Sequence, residues 1–159
     1  MKKLLITLFA ITIAGCSTVQ TGTSYEKGIS SVGVVKGKVF DQKKVIIQDF
    51  TLSGDEVKLL GIQFQSAISN SDMPIMILPE NISKLRIDFE TKLKQTAESN
   101  SVPSLMDIMS GYTSSLNFIG NERIISVRNS SQSFSFVESD VKELIVILRD
   151  LEKKNSERS

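Results

Sequence analysis

Residues 133–151 read SFSFVESDVKELIVILRDL, and this stretch decides the fold. Phe134 and Phe136 alternate with serine, which is the period-two pattern of a half-buried β-strand. Asp140 and Glu143 then match a capping box, the signature of a helix start. The apolar residues that follow have helical spacing and form one face, made of Val141, Leu144, Ile145, Leu148 and Leu151. The stretch therefore predicts a strand that leads directly into an amphipathic helix.

A second stretch of the same kind, PIMILPENISKLRIDFETKLK, occupies residues 74–94. A shift of 59 residues aligns Ile75 with Phe134 and the predicted N-cap Asn81 with Asp140. The predicted apolar face of this helix contains Ile82, Leu85, Phe89, Leu93 and Ala97. Alternation at Leu85, Ile87 and Phe89 would also fit a strand, and the spacing that continues to Ala97 favours the helix. The side predicted to face solvent contains Lys84, Asp88, Thr91, Lys92 and Gln95. A duplication explains the alignment, and so does the general likeness of any strand followed by an amphipathic helix; the sequence leaves both interpretations open.

Further strand patterns precede each of these two units. They are VGVVKGKVF (32–40), KKVIIQDFTL (43–52), VKLLGIQFQSAI (57–68) and a hairpin with a Gly120-Asn121 turn, SLNFIGNERIISVRN (115–129). A short helix is predicted within 100–111, and the charged end 152–159 is expected to fray. The sequence thus predicts a single α+β domain over 32–155, an antiparallel sheet with two amphipathic helices. Its candidate strand-strand-strand-helix repeats are 32–99 and 104–154.

The amino terminus has the features of an export signal. Lys2 and Lys3 precede an apolar run over 4–13, which is too short to cross a bilayer as a helix. The run ends at Ile13-Ala14-Gly15-Cys16, and Cys16 is the only cysteine of the chain. This pattern resembles the signal peptide and lipobox of bacterial lipoprotein precursors. The resemblance implies that 1–15 are removed and that acyl chains on Cys16 anchor the mature protein in a membrane.

The residues after the cysteine bear on where the anchored protein resides. In lipoproteins of two-membrane cells an aspartate at this place retains the protein in the inner membrane, and here it is Ser17. The resemblance therefore implies the outer membrane, with the domain facing the periplasm. Residues 16–31 are rich in Gly, Ser and Thr and are predicted to be a flexible tether.

The composition excludes several classes of active site. The chain has no histidine, and lipidation would consume its one thiol, so Ser-His-Asp and Cys-His arrangements are excluded. Ser83 beside Lys84 is the remaining nucleophile candidate, although helical neighbours point in different directions. The close carboxylates are Asp88 with Glu90 and Glu138 with Asp140, and they are expected to be solvated or to cap helices. We therefore predict no catalytic residues, no cofactor and no metal.

Three functions follow, in order of preference. The first is a non-enzymatic lipoprotein that binds another protein or assists envelope assembly. The alternative is a carrier of a small apolar ligand or lipid held between sheet and helices, and the third is a hydrolase built on the residues named above.

Duplicated sheet-plus-helix units also resemble PUR and Whirly folds, which implies binding of single-stranded nucleic acid. Without Lys2 and Lys3, 17 basic and 18 acidic residues remain, a net charge of −1. Since nucleic-acid binding needs a basic surface, we predict no nucleic-acid partner.

Overall fold

The computed structural model describes residues 19–26, 32–35, 38–52, 59–66, 74–96, 106–109 and 111–159. The leader 1–15 and Cys16 lie outside these ranges. Within them the chain is an α+β structure of two antiparallel sheets and two α-helices. The strands are β1 (Val19–Glu26), β2 (Val32–Val35), β3 (Lys38–Leu52), β4 (Leu59–Ser66), β5 (Ile75–Ile77), β6 (Met106–Met109), β7 (Tyr112–Ile119), β8 (Glu122–Arg128) and β9 (Ser133–Val137). The helices are α1 (Ile82–Lys94), which follows a 3-10 turn at Pro79–Asn81, and α2 (Glu138–Arg158).

The first sheet has the order β1-β3-β4-β5, and β2 also pairs with β3. The long strand β3 is its centre and carries Val45 and Ile47 into the core. The register of β2 on β3 shifts between Val32 and Val34, at Gly33, where the missing side chain favours an irregularity.

The second sheet has the order β6-β7-β8-β9 and contains the predicted hairpin. Strands β7 and β8 close on the pair Ile119 and Glu122, and Gly120 in the turn has a φ of +65°. A positive φ is natural for glycine, so the turn forms where the sequence predicts it.

Both sheets and both helices share one hydrophobic core. Each sheet contributes two buried rows that run across three strands. The rows of the first sheet are Val45-Phe64-Ile75 and Ile47-Ile62-Ile77, and those of the second are Ser114-Val127-Phe134 and Leu116-Ile125-Phe136. The Phe64 ring lies 5.2 Å from that of Phe136, so the sheets meet through aromatic contacts.

The two predicted strand-to-helix units are confirmed. Alternate residues of β9 are buried, and β5 shows the same alternation. Helix α1 buries Ile82, Leu85 and Phe89 as predicted, Leu93 is partly buried against the core, and Ala97 lies outside the described residues. Helix α2 buries all five residues of its predicted face. Asn81 occupies the N-cap position of α1, but within the described chain its side chain makes no capping hydrogen bond.

Helix α2 departs from the prediction at both ends. It starts at Glu138, two residues before the predicted cap Asp140, and it continues to Arg158 where fraying was expected. The last turns stay helical because Asn155 and Arg158 contact the first sheet, at Leu60 and Asp49.

Three other segments also differ from the sequence prediction, because pairing with another strand overrides local preference. Val19–Glu26, within the predicted tether, form β1 along β3, while 16–18 and 27–31 lie outside the described residues. The predicted short helix within 100–111 is wrong, since Met106–Met109 form β6 beside β7. Strand β3 also continues through the break expected at Asp41-Gln42.

Candidate functional site

The nucleophile candidate from the sequence is not assembled into a site. Ser83 and Lys84 are adjacent and both exposed on α1. Asp88, which forms a close carboxylate pair with Glu90 in the sequence, is buried. The expectation that Asp88 and Lys92 face solvent is wrong, because each is only 1% exposed.

Asp88, Lys92 and Ser114 form a buried polar cluster between α1 and the second sheet. The Lys92 ammonium donates to Asp88 Oδ1 and to Ser114 Oγ, the latter over 2.7 Å. Ser114 Oγ in turn donates to Asp88 Oδ2. Three hydrogen bonds therefore close a triangle, which satisfies the buried charges as a low-dielectric interior requires.

The fold itself does not require polar residues at these places. In the matching part of the molecule, Ile147 and Leu151 of α2 occupy the positions 59 residues after Asp88 and Lys92. Ser114 of the second sheet and Val45 of the first sheet occupy equivalent positions in their buried rows. Ser114 pairs with Val127, and Val45 pairs with Phe64. The counterparts are all apolar and buried. One half of the molecule thus carries a charged cluster where the other carries hydrocarbon.

The arrangement limits what this cluster can do chemically. A Ser-Lys nucleophile needs a lysine that can accept the serine proton. Lys92 donates to a carboxylate and to the serine oxygen, and the serine proton is directed at Asp88. A substrate would also have to reach Ser114, which is fully buried. The geometry supports a structural role that joins α1 to β7.

A helical projection of α1 would have found part of this cluster. At 100° per residue, Lys92 lies about 20° from Leu85, inside the apolar face. An i,i+4 Asp-Lys pair on that face then predicts a buried ion pair. Ser114 could not be found in this way, because its matching position depends on the strand register.

A second network of charges joins the two helices near the surface. Arg86 Nε donates to Glu152 over 2.8 Å and its Nη1 to Glu90 over 3.0 Å. Arg149 Nη2 reaches the other Glu90 oxygen over 2.8 Å. Hydrogen bonds from Arg149 and then Arg86 hold the pKa of Glu90 below its ordinary value. The carboxylates of Glu152 and Glu90 raise the pKa of Arg86.

The second carboxylate pair, Glu138 and Asp140, is divided between two environments. Glu138 accepts a hydrogen bond from Arg123 over 2.7 Å and forms an ion pair with Lys142. The hydrogen bond from Lys142 lowers the pKa of Glu138 most, and that from Arg123 lowers it further. Asp140 is buried in the first turn of α2, where the helix dipole stabilises a negative charge. Neither carboxylate is placed as an acid and base facing a shared cleft.

The outer face of the second sheet carries hydroxyl side chains and one arginine. Ser115, Ser126 and Ser135 form one row across β7, β8 and β9, and Ser126 hydrogen-bonds Ser135 over 2.8 Å. Thr113, Arg128 and Ser133 form the next row. We call these six residues the hydroxyl face.

Comparison with family models, with curated proteins and with solved structures finds no match to this chain. In the part of the chain that the structure describes, neither helix has the length and apolar character needed to cross a membrane. The same part holds no group of three or more side chains of metal-binding type.

Proposed function

We propose that this protein is a bacterial lipoprotein, anchored in the outer membrane through Cys16, that binds another envelope protein and is not an enzyme. The observation that carries the proposal is the leader: two lysines, an apolar run and a small-residue motif that ends on the only cysteine. Two or three acyl chains on Cys16 would provide stable anchoring. Ser17 in place of aspartate favours the outer membrane and a domain that faces the periplasm.

The side chains of the described residues support binding rather than catalysis. The buried cluster of Asp88, Lys92 and Ser114 is closed on itself by hydrogen bonds. The surface carboxylates Glu90 and Glu138 are paired with arginines. Each of these groups is used to hold elements together.

The hydroxyl face is the surface that we assign to the protein partner. Arg128 and Ser133 on it are exposed, and neighbouring Asn117 is exposed as well. Of its hydroxyl groups, that of Ser133 is exposed and those of Thr113 and Ser135 are half-buried, and they offer both donors and acceptors, whereas Ser115 and Ser126 are buried. Arg128 adds one positive charge at the rim, and arginine is enriched in protein interfaces. A polar surface of another protein with an acidic group therefore fits this face.

The anchor is tested by metabolic labelling with a radioactive fatty acid. The parent should be labelled and should sediment with envelopes, and Cys16→Ser should lose both properties. Ser17→Ala is the matched control and should retain both. An unlabelled parent would contradict the proposal, as would a Cys16→Ser variant that still sediments.

The binding face is tested by photo-crosslinking in intact cells. A benzophenone amino acid at Asn117, beside the hydroxyl face, should give one discrete protein adduct. The same amino acid at Ser83, an exposed position of α1, should give none. Arg128→Glu should abolish the Asn117 adduct at unchanged protein level. An apolar ligand retained in native mass spectrometry, with no adduct from Asn117, would favour the carrier function instead.

A further inference from the structure

The anchor position and the start of β1 are separated by very little chain. Only residues 17 and 18 lie between Cys16 and Val19, the first residue of β1. Consecutive Cα atoms are 3.8 Å apart, so the Cα atoms of Cys16 and Val19 cannot be more than about 11 Å apart. This limit holds for any conformation of the connecting residues. An acylated Cys16 thus keeps the beginning of β1 beside the head groups.

The strand register identifies what else lies at this end of the first sheet. Val19 pairs with Leu52 at the end of β3, and Asp49 of β3 pairs with Leu60 of β4. Asp49 is three residues before Leu52, or about 10 Å along the strand. The beginning of β1, the end of β3 and the beginning of β4 therefore share one end of the sheet.

The last turns of α2 are fixed to the same end. Asn155 accepts from the Leu60 amide over 2.7 Å and donates to the Leu60 carbonyl over 3.0 Å. Arg158 Nη1 lies 2.9 Å from Asp49 Oδ1. Both contacts join the carboxyl end of the helix to the paired positions Asp49 and Leu60, about 10 Å along the strand from Leu52.

We propose that this end of the molecule, formed by the beginning of β1 and the last turns of α2, faces the lipid surface. The inference rests on the proposed lipidation of Cys16. The opposite end of the β3-β4 ladder, where Lys44 pairs with Gln65, is directed away from the bilayer, as is the first part of β3 that pairs with β2. Lys44 is five residues from Asp49, which places these two positions about 17 Å apart along β3. The domain stands upright on the membrane with its α2 carboxyl terminus down, and it is held close to the lipid.

Site-directed fluorescence quenching tests this orientation in the lipid-modified full-length protein. Because lipidation occupies Cys16, an introduced cysteine is the only free thiol for a dye. Ser156→Cys and Lys153→Cys place the dye on exposed positions near the proposed contact. Gln65→Cys and Lys44→Cys place it at the opposite end. The proteins are reconstituted in phosphatidylcholine vesicles that contain a lipid with a nitroxide on its head group, and this neutral surface leaves the anchor to set the orientation.

We expect both dyes on α2 to be quenched several-fold more than both dyes at the opposite end. Circular dichroism checks the fold of each variant, and two sites at each end keep the comparison valid if one variant misfolds. Equal quenching at both ends, or a reversed order, in protein whose mass shows acylated Cys16 would overturn the orientation and leave the anchor intact. Absence of acyl chains from Cys16 would overturn both.

The control combines Cys16→Ser with Ser156→Cys. It should show no quenching with the same vesicles, because the isolated domain has no anchor. Quenching that persists in this variant would overturn the statement that the anchor sets the orientation.

Discussion

Glu90 and Arg149 contact each other through a 2.8 Å ion pair and are separated by 59 residues, the interval that aligns the two strand-to-helix units. When two units are related by a two-fold axis, the same position of each unit meets its equivalent only close to that axis. In a dimer of identical chains both positions would carry the same residue, and two equal charges would repel. In this single chain they carry opposite charges, so the position nearest the axis becomes an attractive contact between α1 and α2.

The Glu90 contacts predict how stability depends on pH. Because Arg149 and Arg86 lower the pKa of Glu90 in the folded protein, folding favours the ionised carboxylate. Its contribution is present above the unfolded pKa of about 4.3 and is lost as the pH falls through the lower folded value. We expect the melting temperature of the parent to fall more steeply than that of Glu90→Gln between about pH 5 and about pH 3.

Arg149→Gln is the partner control for that measurement. It removes the hydrogen bond that lowers the pKa of Glu90 most, so its melting temperature should also respond less to acid than that of the parent. Parallel curves for the parent and Glu90→Gln over the acid range would contradict the prediction.

The buried cluster predicts a large asymmetry between partial and complete replacement. Lys92→Met leaves the Asp88 carboxylate buried without its ammonium partner and should cost about 3–5 kcal/mol in the free energy of unfolding. The triple variant Asp88→Ile, Lys92→Leu and Ser114→Val copies the apolar counterparts Ile147, Leu151 and Val45. It should be at least as stable as the parent, by urea denaturation. A triple variant less stable than Lys92→Met would show that this equivalence is wrong.

Asn155 predicts a local effect on β4. Its amide side chain bonds both backbone groups of Leu60, at a place beyond the reach of the three-residue strand β5. Asn155→Ala should cost about 1–3 kcal/mol, because it leaves these backbone groups unsatisfied. Hydrogen exchange of the Leu60 amide should become faster. Ser156→Ala, in the same turn but exposed, is the control and should leave this exchange rate unchanged.

Gly111 predicts a cost that comes from the backbone alone. Its φ is +79°, and a Cβ atom built there would meet nothing within 4 Å. Gly111→Ala should therefore lower the free energy of unfolding by about 1–2 kcal/mol through the left-handed conformation. Gly111→Asn should cost less, since asparagine tolerates this region better. Equal thermal stability of Gly111→Ala and the parent would count against the turn as described.

Local signals in the sequence were sufficient for the parts of the fold that depend on neighbouring residues. Phe134 and Phe136 alternate within β9, and the spacing of Leu144, Leu148 and Leu151 gives the buried face of α2. The hairpin at Gly120 needs only two adjacent strands and a residue that accepts a positive φ. The amphipathic faces of both helices follow from the same local periodicity.

Features that depend on distant partners were not accessible in the same way. Strand β1 forms because β3 offers an edge to pair with, whereas its own sequence indicates a tether. Strand β6 pairs with the adjacent strand β7, and there the prediction of a short helix missed the turn at Gly111. The single shift of 59 residues also fails upstream of the helix units. By strand register Phe64 matches Val127, an interval of 63, and Val45 matches Ser114, an interval of 69. Loops of different length in the two units hide the equivalence of Ser114.

The position of Ser114 bears on the order in which the chain can fold. Asp88 and Lys92 belong to the first unit, but the hydroxyl that completes their hydrogen bonds arrives with β7 of the second. An amino-terminal fragment that ends before β7 would have to shield two charges without that partner. The first half should therefore not persist as an independent intermediate, and an emerging polypeptide should acquire its native packing around α1 only once β7 is present.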